Sequence, residues 1–164
     1  MCGRFNLFSP PESIRKHFNL NVAPEIQVDY NIHPGGDILA IMPEAKAELL
    51  HWGLIPFWAK DRKLSYNLIN ARLETVADKP SFRAAFKQRH VIIPATGYYE
   101  WRPIENGTKQ AYHITRPDPT RPFSVLRVCG SIGNKVRKLL IHALSSQLPP
   151  MKRCRTSTAG CRLF

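Results

Sequence analysis

Residues 90–117 read HVIIPATGYYEWRPIENGTKQAYHITRP, and this stretch decides the fold. His90–Ile93 is a β-branched apolar run, and the Pro94–Gly97 stretch interrupts it. Gly97–Pro103 resumes as an aromatic strand. The tetrapeptide ENGT (residues 105–108) carries Asn-Gly, the pair that favours primed two-residue hairpin turns. QAYHITRP then runs back as the partner strand. Short strands joined by such turns make an antiparallel meander.

Working upstream, DKPSFRAAFKQR (78–89) spells a short helix, with Phe82 and Phe86 four apart on one face. AELLHW (47–52) is an apolar strand ending at Gly53, followed by an aromatic loop that Pro56 closes. VDYNIHP (28–34) leads through the turn PGGD into a second apolar strand, ILAIM. SPPESIRKHF opens a helix. Ser9 is placed as its N-cap, Pro10 at the first helical position and Glu12 as the capping-box partner, with Ile14 and Phe18 facing the core. The chain has 164 residues, which suits one domain. The fold expected is α+β: a single domain built on a curled, mainly antiparallel, barrel-like β-sheet with a few short helices.

Composition narrows the function classes. No stretch approaches the roughly 18 apolar residues of a membrane span, and the N-terminus lacks a basic-then-apolar signal pattern. A cytoplasmic protein with reduced thiols is therefore expected. Its four cysteines (Cys2, Cys129, Cys154, Cys161) show no CxxC pair and no Cys/His spacing typical of zinc, so no metal site and no cofactor are read. The net charge of +12 points towards nucleic acid. It is unevenly spread. Residues 127–164 hold eight Lys/Arg and no Asp or Glu, leaving sixteen basic and twelve acidic groups in the first 126.

Four segments set polar residues in apolar, strand-like surroundings: CGRF (2–5), YNIHPG (30–35), LINARLET (68–75) and GYYEW (97–101). Cys2 follows the start methionine and is small enough for that residue to be trimmed away. An N-terminal cysteine would offer an amine titrating near ~7.7–8.0 and a thiol near ~8.5 on adjacent carbons. An aldehyde attacked by the amine gives an imine, and the thiol then closes a five-membered ring. Alternation in LINARLET puts Asn70 and Arg72 on one face. Glu100, between Tyr99 and Trp101, has a neighbourhood able to raise a carboxyl pKa by desolvation, as a proton shuttle near neutrality needs. Plainer readings are an end-of-chain cysteine with no role, a surface carboxylate, a core amide and ordinary ion-pairing arginines.

Together these segments, with HWGLIPFWAKD, resemble in order and spacing the motifs of the SRAP (SOS response-associated peptidase) family of abasic-site-processing proteins, from Cys2 to about Phe123. The resemblance implies a curled antiparallel sheet and a basic channel for single-stranded DNA. It implies Cys2 as the nucleophile that captures the ring-opened aldehyde of an abasic site as a thiazolidine crosslink. Asn70 would orient the sugar and the N-terminus, and Glu100 would act as acid/base. Arg4 and Arg72 would contact phosphates, Phe57 and Trp58 would form an aromatic wedge, and Pro34 would shape the channel. A monomer acting on single-stranded DNA, associated with the nucleoid when bound to damage, is expected. Two other functions stay open: a cysteine peptidase confined to removing its own N-terminal residue, and a nucleic-acid-binding module in which CGRF is incidental.

Beyond that point the family pattern (a strand like GLWEHW, one like TIITTxAN, then IHxRMP with a site histidine) is missing. Codons permitted for Arg127–Asn134, read one base earlier, can spell Gly-Leu-Trp-Glu-His-Trp-Glu. The same offset turns Leu144–Leu163 into a sequence like TIITTTANETMQDIHGRMPV. The expected organisation is thus an incomplete SRAP-like domain over 1–126 and a basic tail over 127–164 produced by a frameshift near Val125–Arg127, with two strands and the histidine lost. His142 is not at the matching position. The rival reading is a basic arm for nucleic acid. Resequencing the gene around codons 124–128 is expected to place an IHxRMP reading in the neighbouring frame; an intact frame without it would exclude the shift.

Overall fold

The computed structural model describes residues 3–54, 68–105, 107–116, 118, 122–133 and 136–143. Nine strands and three helices are described. A four-stranded antiparallel sheet has the order β2-β1-β6-β7, with β1 Phe5–Leu7, β2 Asp29–Ile32, β6 Gly97–Pro103 and β7 Lys109–Thr115. The other five strands are β3 Asp37–Ile41, β4 Ala47–Trp52, β5 His90–Ala95, β8 Phe123–Gly133 and β9 Val136–Ala143. They close into a barrel of order β3-β4-β9-β8-β5. Every pairing is antiparallel except β4 with β9, where His51 faces Lys138 and Trp52 faces Leu139. The helices are α1 Pro11–His17, α2 Leu73–Val76 and α3 Pro80–Gln88. The α+β architecture, mainly antiparallel, is the one the sequence predicts, and its curl comes from closing five strands beside a four-stranded sheet.

The Pro/Gly interruption at 94–97 marks where the chain leaves the barrel for the sheet. Pro94, which lacks an N–H, sits where the β5–β8 register shifts. Thr96 is fully buried and fastens the crossing. Its Oγ1 accepts the N–H groups of Phe8 (3.0 Å) and Ser9 (3.1 Å) and lies 2.9 Å from Ser9 Oγ, while its own N–H donates to the carbonyl of Asn6 at 2.9 Å. Ser9 is therefore spent on Thr96. Pro10 occupies the N-cap of α1, no side chain caps that helix, and Glu12 pairs with Arg15 at 2.6 Å. The tertiary contact outcompetes the local capping box.

Strand β3 is buried on both faces. Ile38 and Ala40 join Phe5, Leu50, Trp52, Val91, Ile93 and Ala95 in one core, with Ile32, Ile69 and Tyr98 packed against it. Leu39 and Ile41 join Leu7, Ile14 and Leu20 in a second core beneath α1. A third unites Leu54, Val76 and Phe82.

Two local readings change. LINARLET is not a strand: Asn70 makes a single bridge, Arg72 in extended geometry (φ −86°, ψ 136°) is the N-cap of α2, and a helix begins at Leu73. Its carbonyl accepts the N–H of Val76 at 2.9 Å, which favours the turn over continued extension. The ENGT hairpin closes with the Gly107 N–H on the Ile104 carbonyl (3.0 Å) and Gly107 at φ 72°. The glycine thus ends a longer turn instead of lying inside a two-residue one. Strands also occupy 123–133 and 136–143, with Val128 opposite Ile141, while the run 144–163, where the second family strand is expected to be missing, lies outside the described residues.

Trp52 is fully buried and touches more of these elements than any local pattern requires. Trp52→Ala is expected to lower unfolding free energy by about 3–5 kcal/mol in urea titration. A loss below about 1 kcal/mol would show that the site collapses around the missing indole.

Candidate functional site

The segments singled out in the sequence meet around Trp52. Its backbone N–H donates to the carbonyl of Gly36 and its carbonyl accepts the N–H of Gly35, each at 2.9 Å. These bonds fasten the turn that follows Pro34. Gly35 stands at φ 91°, a conformation glycine adopts without cost. The indole Nε1–H donates to the Ile69 carbonyl at 3.0 Å, and Leu54 N–H donates to Leu68 at 3.0 Å, which fixes the residues leading into Asn70. The indole lies against Phe5, with ring centroids 5.5 Å apart. Phe5 is paired with Tyr98, and Tyr99 N–H donates to the Arg4 carbonyl at 2.9 Å. The described residues of CGRF, YNIHPG, LINARLET and GYYEW are thereby linked through Trp52 and Phe5.

Within that arrangement Arg4 is half-buried, and its Nη1 donates to Asn31 Oδ1 at 2.7 Å. Pro34 is half-buried, with its carbonyl 2.9 Å from His33 Nδ1. Asn70 is half-buried, and its side-chain oxygen is out of contact with solvent. Glu100 is half-buried in the middle of β6, opposite Tyr112 on β7. Strand alternation turns Tyr99 and Trp101 to the other face, so Glu100 shares its face with Tyr98 and Arg102 on β6 and with Tyr112 on β7. Continuing the β1–β6 register past Phe5 and Tyr98 brings Gly3 level with Glu100, and a Cβ at Gly3 would meet nothing within 4 Å. Arg72 lies exposed at the start of α2. Cys2, Phe57 and Trp58 lie outside the described residues.

Sequence reasoning missed a second polar group on the opposite face of the same sheet. Asn6 is fully buried. Its Nδ2 donates to Tyr99 Oη at 3.1 Å and lies 2.8 Å from His113 Nε2, while Tyr99 Oη donates to the Tyr30 carbonyl at 2.9 Å. His113 stacks on Tyr99 with centroids 5.0 Å apart and planes 28° from parallel. A Cβ at Gly97 would overlap His113 Nε2 and press on the Ile114 carbonyl, so any larger residue here would displace the His113 ring. Burial pushes the His113 pKa below its ordinary value. The available signal was an asparagine inside the apolar run FNLF, together with the hairpin register that sets Tyr99 opposite His113. Among the described residues no three His, Cys, Asp or Glu side chains group to hold a metal, and no helix is long and apolar enough to cross a membrane.

Solved structures share this barrel and sheet. A protein of Bacteroides thetaiotaomicron superposes with a TM-score of 0.70 at 23% identity, covering 86% of this chain and 67% of that one. A Bordetella bronchiseptica protein superposes with the same TM-score at 24% identity. The fold is that of a class of small α+β proteins. The chain belongs to the SOS response associated peptidase (SRAP) family, whose sequence pattern matches residues 1–135. It is 44% identical over 115 residues to abasic site processing protein YoqW of Bacillus subtilis, a match spanning 66% of this chain and 51% of that protein. It is 37% identical over 73 residues to abasic site processing protein HMCES of Rattus norvegicus, spanning 42% and 21%. The chain thus spans about half the length of its Bacillus relative.

Proposed function

We propose that this protein processes abasic sites in single-stranded DNA by forming a covalent crosslink through Cys2. The observation that supports this most is the β1–β6 register, which when continued brings Gly3 level with Glu100, with open space at the Gly3 Cβ position. After Met1 is removed, the Cys2 amine adds to the ring-opened aldehyde, water leaves, and the thiolate adds to the imine carbon to close a thiazolidine. Glu100 delivers the proton that lets the hydroxyl depart as water, leaving a protonated imine, and recovers it from the Cys2 thiol, whose thiolate then closes the ring. Asn70 directs the sugar and the terminal amine. Arg4, steadied by Asn31, takes a phosphate, and Arg72 takes another from its exposed position. Pro34 borders the channel, and Phe57 and Trp58 supply the aromatic wedge.

The family membership and the names of the relatives support this reading, and the net charge of +12 supports a polyanionic partner. The protein acts as a monomer with no cofactor. Residues 127–164 are the product of the shifted frame and contribute no site residue, His142 included.

Incubation with a single-stranded oligonucleotide carrying one abasic site is expected to give an adduct that survives denaturing electrophoresis. Cys2→Ala removes it, and Glu100→Gln slows its formation by about 100-fold or more. Equal crosslinking by Cys2→Ala would refute the nucleophile. DNA-independent peptide turnover that needs Cys2 would favour the peptidase, and retained DNA affinity without any adduct would favour a binding module.

A further inference from the structure

We propose that Asn6 is a positioning residue that pins strand β1, and with it the N-terminal residues, to the β6–β7 hairpin, and that the charge on His113 decides whether the pin holds. The consequence for chemistry rests on the reading of Cys2 as nucleophile, whereas the pin itself does not.

Strand β1 is anchored on its core side by Phe5 and Leu7 and at its end by Thr96, but its pairing in the sheet is short. It is three residues long, it pairs with β6 at Phe5 and Asn6, and its pairing with β2 is irregular between Phe5 and Leu7. Phe5 and Leu7 face the cores; Arg4 and Asn6 face the other way. On that face Asn6 is the one fully buried polar side chain among the described residues of β1. Its amide nitrogen meets Tyr99 Oη and His113 Nε2, while its Oδ1 is buried without a hydrogen-bond partner among the described residues. Leaving that oxygen unsatisfied carries a cost, so the nitrogen's contacts are what orient the amide.

Those contacts are specific about protons. Tyr99 Oη donates to the Tyr30 carbonyl and so accepts from Asn6. With Nδ2 as donor, His113 Nε2 accepts with its lone pair, and the imidazole proton sits on Nδ1. Protonation sets an N–H against an N–H. If the amide turns over to offer Oδ1 to the imidazolium, Nδ2 enters the place where Oδ1 found no partner, and Tyr99 loses its donor. Either arrangement forfeits a partly buried hydrogen bond. Tyr99 stacks on one side of the ring, which holds it over Gly97 and beside Asn6.

The groups around His113 do not offset this. From β6 it faces Tyr99 and Gly97, and from β1 it faces Asn6. Arg4 on the same face of β1 is turned to Asn31 (2.7 Å), and Asp29 on β2 takes the backbone N–H of Asn31 (2.7 Å). On β7 its same-face neighbours are Ala111 and Thr115, and Thr115 donates to the Thr96 carbonyl (2.8 Å). Burial alone pushes the His113 pKa down. A histidine depressed in the folded state contributes fully above its unfolded pKa of about 6.5 and loses that contribution as pH falls through the folded value. The pin is therefore tight at neutral pH and loosens in acid.

Hydrogen exchange tests this without DNA. In the wild-type protein, protection factors of the amides in Phe5–Leu7 and of Tyr99 are expected to fall about tenfold between about pH 7.5 and about pH 5, with those in Ile38–Ile41 unchanged. In His113→Gln, whose side-chain oxygen accepts from Asn6 but does not titrate, the same amides should keep equal protection at both pH values. Equal acid loosening in His113→Gln overturns the proposal, as does a wild-type strand β1 that does not loosen. The wild-type comparison stands alone if the variant fails to fold. If no crosslink forms at any pH while the exchange pattern holds, the pin stands and the Cys2 reading fails.

Discussion

The burial of Trp52 is the constraint on which the rest of the site depends. One side chain and its backbone tie four regions that are distant in sequence: the Pro34 turn through Gly35 and Gly36, the Asn70 segment through Ile69, strand β1 through Phe5, and the barrel through β4. Apart from Gly35, whose φ of 91° favours glycine, the tied residues need no strong local preference for their positions. An indole N–H withdrawn from water must find an acceptor, and the Ile69 carbonyl is that acceptor. The polar residues that carry the proposed chemistry then follow as passengers on rigid supports, which keeps their geometry independent of solvent-exposed loops.

The four-stranded sheet has two faces with different duties. Towards the barrel, Phe5, Leu7 and Tyr98 supply packing, and Glu100 emerges where that packing ends. Away from it, Asn6, Tyr99 and His113 form a small hydrogen-bonded group that secures the same short strand. An N-terminal nucleophile needs this kind of support. A chain end carries the least anchoring of any segment, and alignment of the attacking amine with the aldehyde is where much of a rate acceleration originates.

Much of the fold was legible because the strands obey their own period. ILAI and AELLHW read correctly as β3 and β4, and PSFRAAF as α3 with Phe82 buried. What escaped notice depends on contacts remote in sequence. Ser9 has every local mark of a cap yet bonds Thr96, 87 positions away. Glu100 looked enclosed by Tyr99 and Trp101 until alternation moved both to the other face. Asn6 and His113 are 107 positions apart, and only the joint register of β1, β6 and β7 sets them together. Arg72 was read as strand because Asn-Ala-Arg-Leu alternates, whereas Leu73–Val76 turns into a helix that buries Val76 against Leu54 and Phe82.

Intact-protein mass spectrometry, before and after exposure to an abasic single strand, tests the central claim most directly. The account predicts a species lacking Met1, converted by the DNA into one heavier by the whole strand less a molecule of water. A protein that keeps Met1 and gains no mass would contradict it.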